Sequence, residues 1–256
     1  MSDRTPELSV IIPAYNEEKR LSRTLARIRE YFAGTGAGAS GFQFGEIEII
    51  VVDDGSTDDT ASVVESLARQ MPGLRLVRNH GNRGKGFSVK HGMLEARGRI
   101  TLFTDADLSS PIEESRKLFN ALDAGNDVAI GSRALDRSLI AVRQSRFREI
   151  AGIIFNGFVR VFTGLPFHDT QCGFKAFVRE RTRTVFEQQR IERFGFDPEI
   201  LFIARRHGLR SVEVPVRWAH DEGTKVHVFR DSLLMFSDLV VIRWNALAGR
   251  YPKSAV

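Results

Sequence analysis

The chain has 256 residues, with 37 lysines and arginines against 32 acidic residues, and a formal net charge of +5. With 42% hydrophobic and 27% charged residues it has the composition of a folded globular protein, which excludes intrinsic disorder. Its single cysteine, Cys172, excludes an intramolecular disulfide framework and a cysteine-based zinc cluster, and is typical of a buried small residue.

Short apolar runs alternate with helical patterns through the first half of the chain. We expect strands at residues 8–12, 47–52, 74–77, 100–103 and 128–130. Helices are predicted around 21–32, after a cap at Ser56 or Thr57, at 87–96 and after Pro111. This alternation predicts an α/β fold, with a mostly parallel sheet covered by helices on both faces.

The second half is less regular. The pattern predicts helices at 148–162, at 197–207 with Asp197 as the cap, and at 229–247, with strands at 173–178 and 211–216. The longest apolar stretch, 233–247, is interrupted by Asp238 and Arg243, so we expect no membrane-spanning helix. The polar N-terminus does not resemble a signal peptide.

An acidic pair follows the fourth predicted strand. In extended chain Asp105 and Asp107 point the same way, and two carboxylates on one side favour a hard divalent cation between them, Mg²⁺ or Mn²⁺. The alternative is a solvated loop with a helix cap. A second acidic turn, Asp53-Asp54, follows the second strand, and the carboxyl ends of parallel strands share one edge of a sheet.

Two further segments belong to that edge. Tyr15 and Glu17 follow the first strand and suit contact with a nucleoside, whereas Asn16 could simply cap a helix. The glycine-rich segment 82–86 precedes a helix and could hold a diphosphate through backbone N–H groups and Lys85, although a surface lysine is as good a reading.

Several classes of function are disfavoured. There is no Walker A spacing, no Gly-x-Gly-x-x-Gly after the first strand, no Gly-x-Ser-x-Gly and no His-x-x-x-His pair. Between Arg133 and Arg160 six arginines face two acids, a local charge of +4 that favours an anionic ligand such as a phosphate. No nucleic-acid-binding pattern accompanies these arginines, so we expect no nucleic-acid partner.

Taken together, the motifs resemble those of inverting family 2 glycosyltransferases with the GT-A fold. The matching segments are 12–17, 52–56, 82–86 and 105–107. Within that family the chain is similar to polyprenyl-phosphate hexose synthases, first to dolichyl-phosphate β-glucosyltransferases and then to mannosyltransferases, through residues 131–133, 169–175, 194–197, 214–218 and 223–226. The resemblance covers roughly residues 8–240 and implies one GT-A domain over 1–256. That domain would comprise a nucleotide-sugar half (1–130), an acceptor half (131–226) and a C-terminal amphipathic helix (227–250).

The resemblance also implies the site residues. The nucleotide sugar would be bound by Pro13, Tyr15, Glu17, Asp54, Lys85, Asp105, Ala106 and Lys225. Asp105 and Asp107 would hold the Mg²⁺ or Mn²⁺, and the acceptor phosphate would be held by Arg133 with Arg146 or Arg148. The residues expected to act in catalysis are Asp107, Arg133, Arg148 and Asp169. Mannosyltransferases of this group have glutamine two places after the second metal aspartate, and here that residue is Ser109.

The implied reaction moves a hexose, first of all glucose from UDP-glucose, onto dolichyl or undecaprenyl phosphate with inversion. GDP-mannose as donor is the first alternative. A saccharide hydroxyl acceptor with Asp169 as the base is a second, although Asp169 could instead fix the Gln171 loop. A nucleotide-binding regulatory module without turnover is a third.

A lipid acceptor predicts a peripheral protein on the cytoplasmic face of a membrane. Either the helix at 229–247 or the helix carrying Phe155, Phe158, Val159 and Phe162 could lie in the bilayer interface. The alternative is that both helices bury these side chains in the core or in a homodimer.

Overall fold

The computed structural model describes residues 5–34, 47–142, 145–219 and 228–253. Within them the strands are β1 (Leu8–Ala14), β2 (Ile47–Asp53), β3 (Leu74–Arg78), β4 (Ile100–Thr104), β5 (Val128–Ser132), β6 (Ile140–Val142), β7 (Phe174–Val178), β8 (Ser211–Pro215) and β9 (Trp218–Ala219). The α-helices are α1 (Glu18–Gly34), α2 (Thr60–Ala68), α3 (Lys85–Glu95), α4 (Ser115–Asp123), α5 (Arg146–Thr163), α6 (Arg179–Gln188), α7 (Phe196–Arg206) and α8 (Val228–Leu247).

Seven strands form one sheet in the order β3-β2-β1-β4-β7-β5-β8. Neighbouring strands are parallel except β7, which runs antiparallel to both β4 and β5. The carboxyl ends of the parallel strands therefore share one edge of the sheet with the segment that enters β7. The mostly parallel sheet predicted from the apolar runs is confirmed.

Helices cover both faces of this sheet, as predicted. One core cluster packs α1, α2 and α4 against the first face, through side chains such as Leu25, Val64 and Phe119. The second cluster packs α3 and α5 to α8 against the other face, through side chains such as Val89, Phe196 and Leu239. The buried strands need no polar face because apolar helices cover them on both sides.

Two predicted helix caps are wrong. Helix α2 begins at Thr60, and the side chains of Ser56 and Thr57 lie outside its first turn. Helix α7 is preceded by Gly195, and Asp197 lies inside the helix with its carboxylate 2.5 Å from the Lys175 ammonium. In both cases a contact with a distant segment replaces the local cap.

Three elements had no signal in the sequence. The pair β6–β9 contains only three and two residues, which is too short for a periodic pattern. Helix α6 buries only Thr182, Val185 and Phe186 among charged neighbours, so it lacks an apolar stripe.

Within the described ranges, no helix combines the length and the apolar character needed to span a bilayer.

Candidate active site

The turn after β1 and the turn after β2 are hydrogen-bonded to each other. The Asn16 N–H donates to Ser56 Oγ (2.9 Å), and the Thr57 N–H donates to Asn16 Oδ1 (2.8 Å). The Glu17 N–H donates to Thr60 Oγ1 (2.7 Å). Asn16 has a φ of 53°, a conformation that asparagine tolerates better than most residues. Its side chain therefore joins the two turns instead of capping α1.

Two side chains predicted to contact the nucleoside project from this pair of turns. Tyr15 is 37% exposed at the end of β1, next to the half-buried Pro13. The Glu17 carboxylate lies 2.8 Å from Arg20 Nε, one turn into α1. Tyr15 thus reaches the surface at this edge of the sheet, while the glutamate is held in place by an ion pair.

Asp54 holds the glycine-rich segment 82–86 against the edge of the sheet. The side chain is 4% exposed. Its Oδ1 accepts hydrogen bonds from Asn79 Nδ2 (2.7 Å) and the Arg83 N–H (3.0 Å), and its Oδ2 accepts one from the Gly84 N–H (2.8 Å). Both carboxylate oxygens therefore support the segment, which sequence reasoning did not anticipate.

Gly84 and Gly86 allow this segment to pass close to the chain before α7. Gly84 has a φ of 107°, and a Cβ there would lie 2.6 Å from the Glu192 carbonyl oxygen. A Cβ at Gly86 would lie 2.7 Å from the Ile191 carbonyl oxygen. The close approach places Lys85 at the first residue of α3, at the positively polarised end of the helix.

Lys85 and the acidic pair after β4 meet at this edge. The Lys85 ammonium lies 2.6 Å from Asp105 Oδ1. Burial alone would lower the pKa of Lys85, but the carboxylates of Asp105, Asp197 and Asp107 raise it, so the ammonium stays charged. Burial, together with the neighbouring charge of Asp105, raises the pKa of Asp107. Two like charges held close together disfavour ionisation, which a cation between them would reverse.

The acidic pair sits on a tight turn. Asp107 Oδ1 accepts a hydrogen bond from the Ser109 N–H (2.8 Å), and Leu108 between them has a φ of 49°. Ala106 is buried, and its carbonyl oxygen accepts a hydrogen bond from Thr24 Oγ1 (2.6 Å), so it contacts α1. The two aspartates are therefore held by backbone on both sides.

Space beside Asp105 is provided by Gly173, the residue before β7. A Cβ on Gly173 would lie 2.5 Å from Asp105 Cγ, well inside van der Waals contact. Any side chain at this position would displace the carboxylate. Gly173 belongs to the segment 169–175 that carries the family resemblance, but it was not predicted as a site residue.

A buried ion pair underlies the site and was missed by sequence reasoning. The Lys175 side chain is fully buried, and its ammonium lies 2.5 Å from Asp197 Oδ1 and 2.6 Å from the Cys172 carbonyl oxygen. Burial raises the pKa of Asp197 despite the attraction of Lys175. The pair ties the entry of β7 to the first turn of α7. A lysine inside the apolar strand FKAFV was the available signal, because a charge in a buried strand requires a partner.

Arg133 and Asp169 form a bidentate pair at the end of β5. Arg133 Nε lies 2.7 Å from Asp169 Oδ2, and Nη2 lies 2.9 Å from Oδ1. The Arg133 N–H also donates to Oδ2 (3.0 Å), and the Gln171 N–H donates to Oδ1 (3.1 Å). Burial alone would raise the pKa of Asp169, but the Arg133 charge and its hydrogen bonds lower it to about 2. A carboxylate with this pKa is a weak base at neutral pH.

Cys172 is a buried, neutral thiol close to Asp169, Arg133 and Lys175. It is 1% exposed, and burial raises its pKa to about 11, with a further contribution from Asp169. The sequence-based reading of a buried small residue is confirmed.

Three predicted residues cannot be placed by their side chains. Lys225 lies outside the described residues. Arg146 and Arg148 lie in the first turn of α5, but only their backbone is described. The structure thus brings Tyr15, Glu17, Asp54, Lys85, Asp105, Asp107, Arg133 and Asp169 to the carboxyl edge of the sheet.

The acidic pair fits a divalent cation that is completed by a ligand. Across the described ranges, no three histidine, cysteine, aspartate or glutamate side chains converge as a metal site. Mg²⁺ commonly uses one or two carboxylates together with substrate phosphates and water. Asp105 and Asp107 could provide those two carboxylates, and the segment 82–86 lies at the same edge of the sheet.

Comparison with known proteins agrees with this geometry. A family model described as Glycosyl transferase family 2 matches residues 9–186. The chain is 40% identical over 254 residues to dolichyl-phosphate beta-glucosyltransferase of Drosophila melanogaster, covering 96% of this chain and 77% of the fly protein. It is 38% identical over 250 residues to the protein of that name in Dictyostelium discoideum, covering 94% and 75%.

A solved structure shares the fold. Glucosyl-3-phosphoglycerate synthase from Mycobacterium tuberculosis, in complex with Mn²⁺, UDP-glucose and phosphoglyceric acid, matches with a TM-score of 0.58 and 20% identity. The match covers 98% of this chain and 81% of the mycobacterial one. At this identity the likeness concerns the fold alone, and it confirms the predicted GT-A architecture.

Proposed function

Because the chain belongs to glycosyl transferase family 2, we propose that it moves a hexose from a nucleotide sugar onto a polyprenyl phosphate. The names of its relatives favour glucose as the sugar and dolichyl phosphate as the acceptor. UDP-glucose is the donor that the sequence resemblance implies. The observation that carries the proposal is the Arg133–Asp169 pair, because it argues for a phosphate acceptor.

A phosphate acceptor and a hydroxyl acceptor need different machinery. A sugar hydroxyl must lose its proton, so a hydroxyl-directed enzyme needs a base of suitable pKa. Asp169, the candidate base, has a pKa of about 2, and its carboxylate is ion-paired with the Arg133 guanidinium. A phosphate monoester is already ionised near neutral pH and needs an electrostatic clamp instead. The guanidinium of Arg133, oriented by Asp169, suits that role, because its planar fork matches phosphate oxygens.

The acceptor end of the site comprises Arg133 and one of Arg146 or Arg148. In the proposed reaction an acceptor phosphate oxygen forms a bond to the anomeric carbon. The bond from that carbon to the donor diphosphate breaks, and its electron pair leaves with the diphosphate. Displacement in line inverts the anomeric centre, so an α-linked donor gives a β product. Asp169 positions Arg133 rather than accepting a proton.

The donor end comprises the turns after β1 and β2 and the segment 82–86. We assign the nucleoside to Pro13, Tyr15 and Glu17, and the diphosphate to Lys85, with Lys225 as a further ligand from outside the described residues. Asp54 contributes through the segment that it holds. In this division residues 1–130 bind the nucleotide sugar, and residues 131–226 bind the acceptor and also supply Lys225 to the diphosphate.

Asp105 and Asp107 would hold Mg²⁺ or Mn²⁺ against the donor diphosphate. When bound, such a cation acts as a Lewis acid that stabilises negative charge on a leaving diphosphate. The Lys85 ammonium, which lies 2.6 Å from Asp105 Oδ1, would stabilise the same negative charge on the diphosphate. Gly173, which has no side chain, leaves the space that the Asp105 carboxylate occupies.

A polyprenyl acceptor is confined to a membrane, so the chain would act at a bilayer surface. We propose the cytoplasmic face of the membrane as the place of the reaction, as the sequence resemblance implies.

The test is transfer of radiolabelled hexose by the purified chain. UDP-glucose and GDP-mannose are compared as donors, with Mg²⁺ or Mn²⁺ and polyprenyl phosphate, and organic-extractable label is counted. Label from UDP-glucose that EDTA abolishes supports the proposal, and label from GDP-mannose alone changes the donor. Metal-dependent nucleotide binding without any label would refute hexose transfer from these donors to a polyprenyl phosphate, and would favour a different sugar or a non-lipid acceptor.

A further inference from the structure

Glu199 is a buried carboxylate that the proposed reaction does not use. It lies in the first turn of α7 and has no exposed surface. A carboxylate removed from water is costly unless its oxygens accept hydrogen bonds. The oxygens of Glu199 accept them from two separate places, the connection between α6 and α7 and the C-terminal segment beyond α8. The side chain therefore joins two segments that are remote from each other in sequence.

The connection between α6 and α7, residues 189–195, is held by Glu199 through its backbone. The Arg190 nitrogen lies 3.0 and 3.1 Å from the two carboxylate oxygens, and the Ile191 N–H donates to Oε2 (2.8 Å). A carboxylate near the start of a helix commonly serves the free N–H groups of that helix. Glu199 instead bonds to N–H groups that precede its helix, so it shapes the connection.

The same connection supports the glycine-rich segment 82–86. The Phe87 N–H donates to the Glu192 carbonyl oxygen (2.9 Å), and Gln189 Nε2 donates to the Gly86 carbonyl oxygen (2.8 Å). Gly86 also lies so close to the backbone of the connection that it could not carry a Cβ without displacing it. The position of the segment thus depends on the position of the connection.

The C-terminal segment reaches Glu199 through Tyr251, four residues beyond the end of α8. The tyrosine is 1% exposed, and its hydroxyl donates to Glu199 Oε1 (2.6 Å). The direction of this bond is set by Asn245, whose Nδ2 donates to the same hydroxyl (3.1 Å) while its Oδ1 accepts from Arg250 Nη1 (2.9 Å). The tyrosine hydroxyl is therefore fixed as a donor toward the carboxylate.

We propose that Glu199 and Tyr251 are positioning residues of the donor end. The Tyr251 hydroxyl orients the Glu199 carboxylate, which holds the connection 189–195 and thereby keeps the segment 82–86 in the shape that receives a diphosphate. The coupling between these segments rests on the hydrogen bonds alone, whereas the diphosphate as ligand rests on the proposed function. Both residues act through the segment, and we assign neither of them a contact with the substrate.

Two variants weaken this arrangement, and a third controls for stability. Tyr251→Phe removes only the hydroxyl, and Glu199→Gln leaves one acceptor oxygen for three donor groups. The control is Glu48→Gln, which alters another buried carboxylate at the amino end of β2, the edge of the sheet far from the site. Thermal unfolding by circular dichroism sets a temperature at which the wild type and all variants are folded.

Backbone amide hydrogen exchange tests the coupling without any ligand. The reporters are the amides of Arg83, Gly84 and Phe87, because each donates a hydrogen bond within the structure. We expect Tyr251→Phe and Glu199→Gln to raise their exchange rates by about tenfold relative to the amides of β1, because losing a buried hydrogen bond makes local opening easier. The control should leave this ratio unchanged. A ratio that stays the same in both variants, or that rises equally in the control, would overturn the proposal.

Nucleotide affinity shows whether the positioning acts on the diphosphate. UDP and uridine are compared in the presence of Mg²⁺, by calorimetry and by NMR titration. We expect both variants to weaken UDP binding by about tenfold and uridine binding by less than about twofold, since the nucleoside is assigned to the turns after β1 and β2. Equal weakening of both ligands would indicate general destabilisation and overturn the proposal.

The double variant tests whether Tyr251 acts through Glu199. Tyr251→Phe should weaken UDP binding no further in the Glu199→Gln background, and effects that simply add would overturn the proposal. If the wild type binds UDP no more tightly than uridine, the assignment of the diphosphate fails, and the proposed function with it. The exchange rates still decide the coupling in that case, so the two failures are distinguishable.

Discussion

Replacing Asp169 with asparagine removes one charge from the Arg133–Asp169 pair while keeping the shape of the side chain. In the wild type this carboxylate orients Arg133 through two side-chain hydrogen bonds and also accepts the Arg133 and Gln171 N–H groups. The two backbone N–H groups donate to different carboxylate oxygens, so the single oxygen of the asparagine can accept only one of these hydrogen bonds. The amide N–H₂ group of the variant takes the place of the other oxygen and cannot accept a hydrogen bond from the guanidinium. Arg133 therefore loses both its counter-charge and its fixed orientation.

The structure sets the size of the effect on stability. Folding lowers the pKa of Asp169 from 3.8 to about 2, which corresponds to about 2 kcal/mol of stability at neutral pH. Removing one partner of a buried pair costs about 3–5 kcal/mol. The Arg133 side chain is 28% exposed, so water screens part of this, and we expect about 2–3 kcal/mol.

The sign of the pH dependence follows from a lowered pKa. The stabilisation is complete above the unfolded pKa of 3.8 and is lost as the pH falls through the folded value of about 2. Urea unfolding should therefore show a constant difference between wild type and Asp169→Asn from pH 7 to pH 5, and about half the carboxylate contribution at pH 3. A difference that stays constant down to pH 3 would show that Asp169 is not ionised beside Arg133.

The transfer reaction gives an independent readout. We expect Asp169→Asn to raise KM for polyprenyl phosphate at least tenfold, because the phosphate clamp is loosened. The acid limb of kcat/KM should remain near pH 6 in both proteins, since it reports the second ionisation of the acceptor phosphate. An acid limb that disappears in the variant would identify Asp169 as a general base and refute the positioning role.

Three further predictions concern the donor end and its support. Asp107→Asn should reduce transfer by at least about a hundredfold with unchanged thermal unfolding, because a ligand of the divalent cation is lost; full activity would refute the metal assignment. Gly173→Ala should weaken Mn²⁺-dependent UDP binding in calorimetry, because its Cβ would lie 2.5 Å from Asp105 Cγ; unchanged affinity would exclude this steric role. Lys175→Met should lower the free energy of unfolding by about 3–5 kcal/mol, and adding Asp197→Leu should restore much of it. Equal losses in the single and double variants would contradict the buried-pair account.

Most of the sheet could be predicted because its strands are buried on both faces. Such strands are short continuous apolar runs, and each predicted run corresponds to an observed strand. Parallel strands also place their carboxyl ends together, so Asp54 and Asp105 could be assigned to one edge before the structure was known. The bidentate Arg133–Asp169 pair could not, because it depends on the direction of β7, which periodicity does not reveal.

Local rules failed where distant segments supply the partner. Ser56 has the sequence of a helix cap, but its hydroxyl accepts a hydrogen bond from Asn16, 40 positions away. Asp197 also resembles a cap and instead meets Lys175, 22 positions away. In each case a tertiary hydrogen bond or ion pair replaces the cap, and both exceptions lie at the candidate site, where such conflicts are expected.

The amphipathic helices show a different limit. The apolar residues of α5 and α8 were predicted from spacing, but spacing does not tell which side faces the core. Both helices turn out to be apolar on two sides, with Val159 buried and Val161 80% exposed. Only the fold distinguishes the buried side of each helix from its exposed side.

The central claim is that the acceptor is a lipid phosphate, and a matched pair of acceptors tests it most directly. Polyprenyl phosphate and the corresponding polyprenol, with the same chain length, are offered to the purified wild-type chain with radiolabelled UDP-glucose and Mn²⁺ at neutral pH. We predict label in the lipid phase with the phosphate and none with the alcohol, because the site holds an arginine clamp and Asp169 is too weak a base. Equal label in the polyprenol would contradict the assignment of a phosphate acceptor.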